Sequence, residues 1–299
     1  VARKTVQALS GRNIRCILFD LGNTLWEHPN KYTVQKAEQA ANLHTVTLLK
    51  KLFPPETFPT NDPGLLGGLF RLAVDRQTHR LGMENWGYEP DFTLATMLAI
   101  QQLQLPEVDR AIAATLFEAL RVRTPLARRM FKDTLSTLHT LKERGFLIGI
   151  VTNRKYGGEP FMQDLQQLGL LDYIEPQHIA ISADLGIRKP TPAIFSHALD
   201  HCQVSPEETA MVGDSLRADI AGANMMHLLA IWKPAPTLRV RAREILAPNT
   251  EHISNEDLLN YGYTHEERRY RQLLDNVAPD LIIRRVSDLL SVFPEAGRS

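Results

Sequence analysis

Ile17-Leu18-Phe19-Asp20-Leu21-Gly22-Asn23-Thr24-Leu25 is the stretch on which the reading of this chain turns. The run from Ile14 to Phe19, broken by Arg15 and Cys16, is apolar and branched and reads as a buried strand. It ends in the carboxylate of Asp20, and Gly22-Asn23 then supplies a turn. A carboxylate where a buried strand meets a loop sits at the sheet edge where open α/β folds bind ligands. An Asp that merely caps the next turn would look the same, so the decision rests on what lies downstream.

Downstream, strand and helix alternate. A helix from Leu135 to Arg144 is closed by Gly145, and the strand Phe146 to Val151 runs into the polar break Thr152-Asn153. The helix Pro160 to Leu168 is followed by the short strand His178 to Ile181 and the polar segment Ser182 to Lys189. Thr191-Pro192 reads as an N-cap with Pro at the first helical position, opening a helix to His201. The strand Thr209 to Val212 ends in Gly213-Asp214, the helix Arg217 to Met226 follows, and the strand Leu228 to Trp232 comes next. A last short strand, Leu281 to Ile283, precedes a closing helix that ends near Phe293. Such alternation predicts an α/β fold with a doubly wound parallel sheet, whose polar strand ends converge on one crevice.

From Lys31 to about Arg123 the pattern is purely helical, with four apolar faces separated by breakers at Phe53-Pro54-Pro55, Asn85 to Pro90 and Leu105-Pro106. This predicts a separate α-helical bundle at 26–125, inserted into a Rossmann-like core of 1–25 and 126–299 that carries its own insertion at 234–277. In that tail insertion Thr264-His265-Glu266-Glu267 reads as a capping box opening a helix to Leu274. Its arginines, Arg239, Arg241, Arg243, Arg268, Arg269 and Arg271, suit a second anion clamp, a solvated decoration or a homodimer contact.

Lys plus Arg and Asp plus Glu balance at 34 each, so no bulk field favours a nucleic acid or an anionic membrane as partner. The two cysteines, Cys16 and Cys202, make no metal pattern and suit a reducing, cytoplasmic location. Val1 to Asn13 has no apolar core of a secretory signal, and no apolar run is long enough to span a bilayer.

Asp20, Thr152, Lys189, Asp214 and Asp219 therefore meet at one sheet mouth. Two carboxylates from different strands can hold a hard cation such as Mg²⁺. A hydroxyl and an ammonium can hold phosphate oxygens, and a nearby Asp can attack phosphorus. The order and spacing of Phe19-Asp20-Leu21-Gly22-Asn23-Thr24, Ile150-Val151-Thr152-Asn153, Lys189-Pro190 and Gly213-Asp214-Ser215 with Asp219 resemble the four motifs of the haloacid dehalogenase superfamily. That family also places a helical cap between its first two motifs. The resemblance implies a phosphatase in which Asp20 is the nucleophile, and Thr152, Asn153 and Lys189 hold the phosphoryl group of a small phosphorylated metabolite. It further implies that Asp20, the Gly22 carbonyl, Asp214 and Asp219 serve Mg²⁺, that Thr24 is structural, and that cap side chains select the substrate.

The chain departs from the family pattern at Gly22, where phosphatases usually carry an Asp that acts as general acid and then base. Such help is worth ~10²–10⁴-fold. Glu27 or His28, just past the motif, could supply a proton, or both could simply face solvent. A metal-independent dehalogenase tolerates a glycine here, and a non-catalytic binding or scaffold protein on the same fold is a third reading.

Overall fold

A computed structural model of the chain describes residues 11–27, 31–85, 87–250, 252–270, 274 and 276–294. Cys16–Phe19 (β1) is an inner strand of a six-stranded sheet. The others are Leu147–Thr152 (β2), Ile179–Ile181 (β3), Thr209–Gly213 (β4), Leu229–Trp232 (β5) and Leu281–Ile282 (β6). All pairings are parallel and the spatial order is β3-β2-β1-β4-β5-β6. Both faces of β1 are buried, with Cys16 and Leu18 on one side and Ile17 and Phe19 on the other. This explains why the strand reads as a continuous apolar run rather than as an alternation. The chain leaves β1 toward β2 and β3, then returns to the other side of β1 as β4. That reversal opens a crevice at the C-terminal ends of β1 and β4. Phe19 is in register with Ile150 and with Val212, so Asp20 leaves the sheet level with the ends of both neighbours.

By their contacts the described residues fall into two units, one within the bounds Val1–Glu27, Met130–Asn153 and Leu165–Ser299, the other within His28–Arg129 and Arg154–Asp164. The second unit contains Lys31–Leu52 (α1), Pro63–Glu84 (α2), Phe92–Gln102 (α3) and Arg110–Ala119 (α4). Asp62, Asp91 and Asp109 open α2, α3 and α4, each accepting from a backbone amide three residues on at 2.7–2.8 Å. Leu49, Phe70, Val74, Ile100, Leu116 and Phe117 fill the bundle's own core. The segment 154–164, which the sequence reading assigns to the sheet half, joins this unit. Tyr156 stacks on Phe117 at 4.6 Å, and Asp164 takes the Arg123 guanidinium and the Thr124 amide.

In the first unit Thr134–Glu143 (α5), Gly158–Gln167 (α6), Pro192–Cys202 (α7) and Ala221–Met225 (α8) connect the strands, α6 starting among residues of the second unit. Thr191 precedes α7 as expected but makes no side-chain cap on it. The expected helix from Arg217 is preceded by one π-helical turn, Leu216–Ile220, and shrinks to α8.

The tail insertion folds as two helices, Pro236–Leu246 (α9) and Asn255–Tyr270 (α10). Here the expected capping box fails. Thr264 lies inside α10, its hydroxyl donating to the Asn260 carbonyl, because the helix already starts at Ser254. The Ser254 hydroxyl accepts from the Asp257 amide at 3.0 Å and donates to its carboxylate. Arg271 lies outside the described residues, and Leu274 lies beyond the described end of α10.

Gly262 lets α10 lie close against the end of the sheet. A Cβ there would stand 2.7 Å from the ring of Trp232, a fully buried side chain at the end of β5. Ala normally favours a helix over Gly by about 1 kcal/mol. Gly262→Ala is nevertheless expected to destabilise the protein, by ~1–3 kcal/mol from overpacking, read as a lower urea midpoint. An unchanged or raised midpoint would show that α10 moves off the sheet freely.

Candidate active site

Three loops deliver the site. The first leaves β1 with Asp20, turns through Asn23 in the left-handed conformation (φ 54°) that Asn tolerates, and buries Leu25 and Trp26. The second ends in Lys189, whose backbone is fixed from across the crevice by Asn153. The Asn153 amide donates to the Lys189 carbonyl at 3.0 Å, and its oxygen accepts from the Lys189 amide at 2.8 Å. The third leaves β4 at Gly213, where a Cβ would sit 2.2 Å from the Asp219 carboxylate, so the strand end has to be glycine.

These loops close around one ammonium. Lys189 Nζ donates to Asp20 Oδ1 at 2.7 Å, to Asp219 Oδ1 at 2.6 Å and to the Val151 carbonyl at 2.6 Å, and the side chain is 1% exposed. All three of its donors are used. Burial opposes the charge, but Asp20 and Asp219 outweigh it and hold Lys189 above the ordinary lysine range. Asp219 also accepts from the Ser215 amide at 2.9 Å. Burial lifts it to about 6 against the pull of Lys189.

Asp214 lies beside this pair. Asp20, Asp214 and Asp219 each bring a carboxylate oxygen within 4.8 Å of the others. Burial first, then the charges of Asp20 and Asp219, push Asp214 well above the carboxylate range, opposed by a 2.9 Å hydrogen bond from Asn23 Nδ2. Once Asp214 gives up its proton, three carboxylates stand against the Lys189 ammonium, an excess of negative charge that a hard cation would neutralise. Both oxygens of Asp219 are engaged, one by Lys189 and one by Ser215. Among the described residues the hydrogen bonds leave Oδ1 of Asp214 open to a cation and Oδ2 of Asp20 without a protein donor.

The other residues expected from the sequence fall nearby in different roles. Thr152 is buried at the end of β2. Asn153 is bonded through its side-chain amide to the Lys189 backbone. Gly22 has room for a side chain, since a Cβ would meet only Asp20 Oδ2, at 3.9 Å. Thr24 Oγ1 is buried without a hydrogen-bond partner. Glu27 is half-buried and near enough to Lys233 to act on its charge, while His28 lies outside the described residues.

Three residues to which the sequence assigns no part in the site brace the first and third loops. Lys233, directly after β5, donates to the Asn23 carbonyl at 2.7 Å and lies 4.0 Å over the Phe131 ring. Burial lowers it to about 8, although Asp214 and Asp133 pull it back up. The Trp232 indole donates to the Asp214 carbonyl at 2.8 Å. Glu266 of α10 accepts from the Leu216 and Arg217 amides, at 2.8 and 2.9 Å, and from the Ser215 hydroxyl at 3.1 Å. Lys233 was findable by the strand-end logic that finds Asp20. Nothing in the sequence pairs position 266 with positions 215–217.

A strand-end Asp, a buried Lys, a turn carboxylate and a parallel sheet reversing at that point define a hydrolase site of one class. Residues 14–227 match the family of haloacid dehalogenase-like hydrolases, and the chain belongs to that family. A glyceraldehyde 3-phosphate phosphatase of Pyrococcus furiosus is 31% identical over 229 residues, which span 74% of this chain and 81% of that protein. A phosphoserine phosphatase of Thermus thermophilus is 35% identical over 130 residues, 42% of this chain and 47% of that one. The fold is shared with a 2-haloacid dehalogenase of Pseudomonas syringae (TM-score 0.54, 22% identity, 93% and 97% of the two chains). It is shared as well with a HAD phosphatase of Thermococcus onnurineus (0.53, 20%, 95% and 100%). Among the described residues no helix is long and apolar enough to cross a membrane.

The raised Asp214 and Asp219 give a linkage prediction. Without a cation the folded protein holds these protons more tightly than the unfolded chain, where such carboxyls titrate near 4. That stabilisation is complete at low pH and is lost as pH rises through about 6 and above. A cation takes the protons' place. The gain in Tm from Mg²⁺ over EDTA should therefore grow between about pH 5 and about pH 7. An equal gain at both pH values, or none, would show that the cluster holds no cation.

Proposed function

We propose that this hydrolase is a Mg²⁺-dependent phosphatase of a small phosphorylated metabolite, acting through an aspartyl phosphate on Asp20. The observation that carries the reading is the division of labour on Asp20. Its Oδ1 is pinned by the Lys189 ammonium, which leaves the second oxygen to attack. The names of the relatives support the substrate class.

Asp20 attacks the phosphorus of a bound monoester, the bond to the leaving oxygen breaks, and an acyl phosphate forms. Water then attacks the same phosphorus, and release of inorganic phosphate restores the carboxylate. Lys189 lowers the charge around the nucleophile and orients it, while Thr152 faces the phosphoryl oxygens at the end of β2. Asp219 holds Lys189, and Asp214, the Gly22 carbonyl and the Lys189-bound oxygen of Asp20 would hold the cation. When bound, Mg²⁺ offsets the negative charge that accumulates on the transferring group. No side chain at position 22 protonates the leaving oxygen. A metal-independent dehalogenase would give Asp214 no task beside Asp20.

Two experiments test this. Asp20→Asn should keep its fold and lose Mg²⁺-dependent turnover of p-nitrophenyl phosphate, and turnover retained by the folded variant would sink the covalent route. A leaving-group series should also be steep, aryl and acyl phosphates reacting far faster than alkyl phosphates. Gly22→Asp, for which the backbone has room, should raise alkyl turnover by at most ~10²–10⁴-fold and aryl turnover less. A flat series in the unmodified enzyme would mean that another residue, Glu27 first, already supplies the proton.

A further inference from the structure

The insertion carries a second concentration of charge, of the opposite sign to the carboxylate cluster. A cavity of about 210 Å³ opens between α9, the loop at His252 and Ile253, and the residues that follow β6. Arg239 and Arg243 of α9, Arg284 and His252 line it, together with apolar Ile253 and Leu258. Every one of these residues lies beyond the stretch 14–227 that matches the family.

Arg239 and Arg243 stand four residues apart, a spacing that puts them on one face of α9 and makes their like charges repel. Arg239 also donates to the Arg284 carbonyl at 3.2 Å, which draws the two walls of the cavity together. Among the described residues no carboxylate forms an ion pair with Arg239, Arg243 or Arg284. The acidic group that acts on Arg239 is Asp288, and its carboxylate already accepts from the backbone amides of Arg284 and Arg285, at 2.8 and 3.0 Å. Burial, and then the positive charges of Arg284 and Arg285, depress the Arg239 pKa. The whole chain has no net charge, so this positive excess is local.

A concave site with converging guanidinium groups and a short apolar wall matches a small oxyanion. We propose that this cavity is a second ligand site that binds the phosphate dianion of a small molecule, separate from the catalytic crevice. The guanidinium forks take the phosphate oxygens by charge-assisted hydrogen bonds, and Ile253 and Leu258 offer a surface for the rest of the molecule. The site does not depend on the chemistry assigned to Asp20, because it calls for binding and no turnover.

The test is calorimetric titration of the whole protein with inorganic phosphate in EDTA. The arginines to be replaced line the cavity and are not among the residues of the crevice, so an isotherm that their loss weakens belongs to the cavity. The unmodified protein should give a saturable one-site isotherm. Arg243→Ala with Arg284→Ala should weaken it by about tenfold or more, as the loss of charge-assisted bonds requires. Should the double variant fail to fold, Arg243→Gln alone, at a half-buried surface position, is read in the same way. Glycerol 3-phosphate binding tighter than inorganic phosphate would assign the ligand as an ester that uses the apolar wall, and equal binding would assign inorganic phosphate itself. No saturable heat with the unmodified protein, or an isotherm that the arginine substitutions leave unchanged, overturns the site.

Discussion

The ammonium of Lys189 is the group around which the catalytic half is arranged. An ion this deeply buried is costly to desolvate unless all of its protons find acceptors. Here they do, on Asp20, Asp219 and the Val151 carbonyl. Those acceptors come from the loop after β1, the turn after β4 and the strand β2. One side chain thus ties together three elements that meet where the sheet reverses direction. Removing any one acceptor leaves a buried charge without its partner, which is why each of the three loops is in turn fixed by contacts of its own.

Those contacts form a second layer. Asn153 sets the backbone of Lys189, Lys233 holds the Asn23 carbonyl, Asn23 holds Asp214, and Trp232 holds the Asp214 carbonyl. Glu266 takes the free amides that open the turn containing Asp219. A carboxylate at such a helical opening satisfies donors that would otherwise stay unpaired and complements the positive end of the turn. The tail insertion is in this sense part of the site's scaffold, although none of its described residues joins the carboxylate cluster.

The parallel sheet and the four convergent side chains Asp20, Lys189, Asp214 and Asp219 were legible in the sequence because each signal is local. A branched run followed by a polar break marks a strand and its C-terminal end together. The second layer was not legible, because its bonds join residues far apart in the chain, such as Asn153 with Lys189 and Glu266 with Leu216. Thr264 followed by Glu267 satisfies the capping-box pattern, but Ser254 and Asp257 satisfy a similar one ten residues earlier, and the helix starts at the first. The aspartates that cap α2, α3 and α4 stand in the sequence just before apolar runs, a signal the breakers between the helices overshadowed.

The clamp from α10 has a consequence for how the chain is made. Residues 14–227 include all four motifs, yet the amides of Leu216 and Arg217 wait for a carboxylate about fifty positions further on. A ribosome releases the chain from its N-terminus at roughly 5–20 residues per second, with each domain folding as it emerges. For the seconds that separate the two segments, the turn bearing Asp219 lacks its anchor and β5 lacks the helix that packs on Trp232. The crevice is therefore finished late in translation, and a message cut short before α10 would yield a polypeptide with every signature residue and a turn at 215–219 that lacks the Glu266 tie.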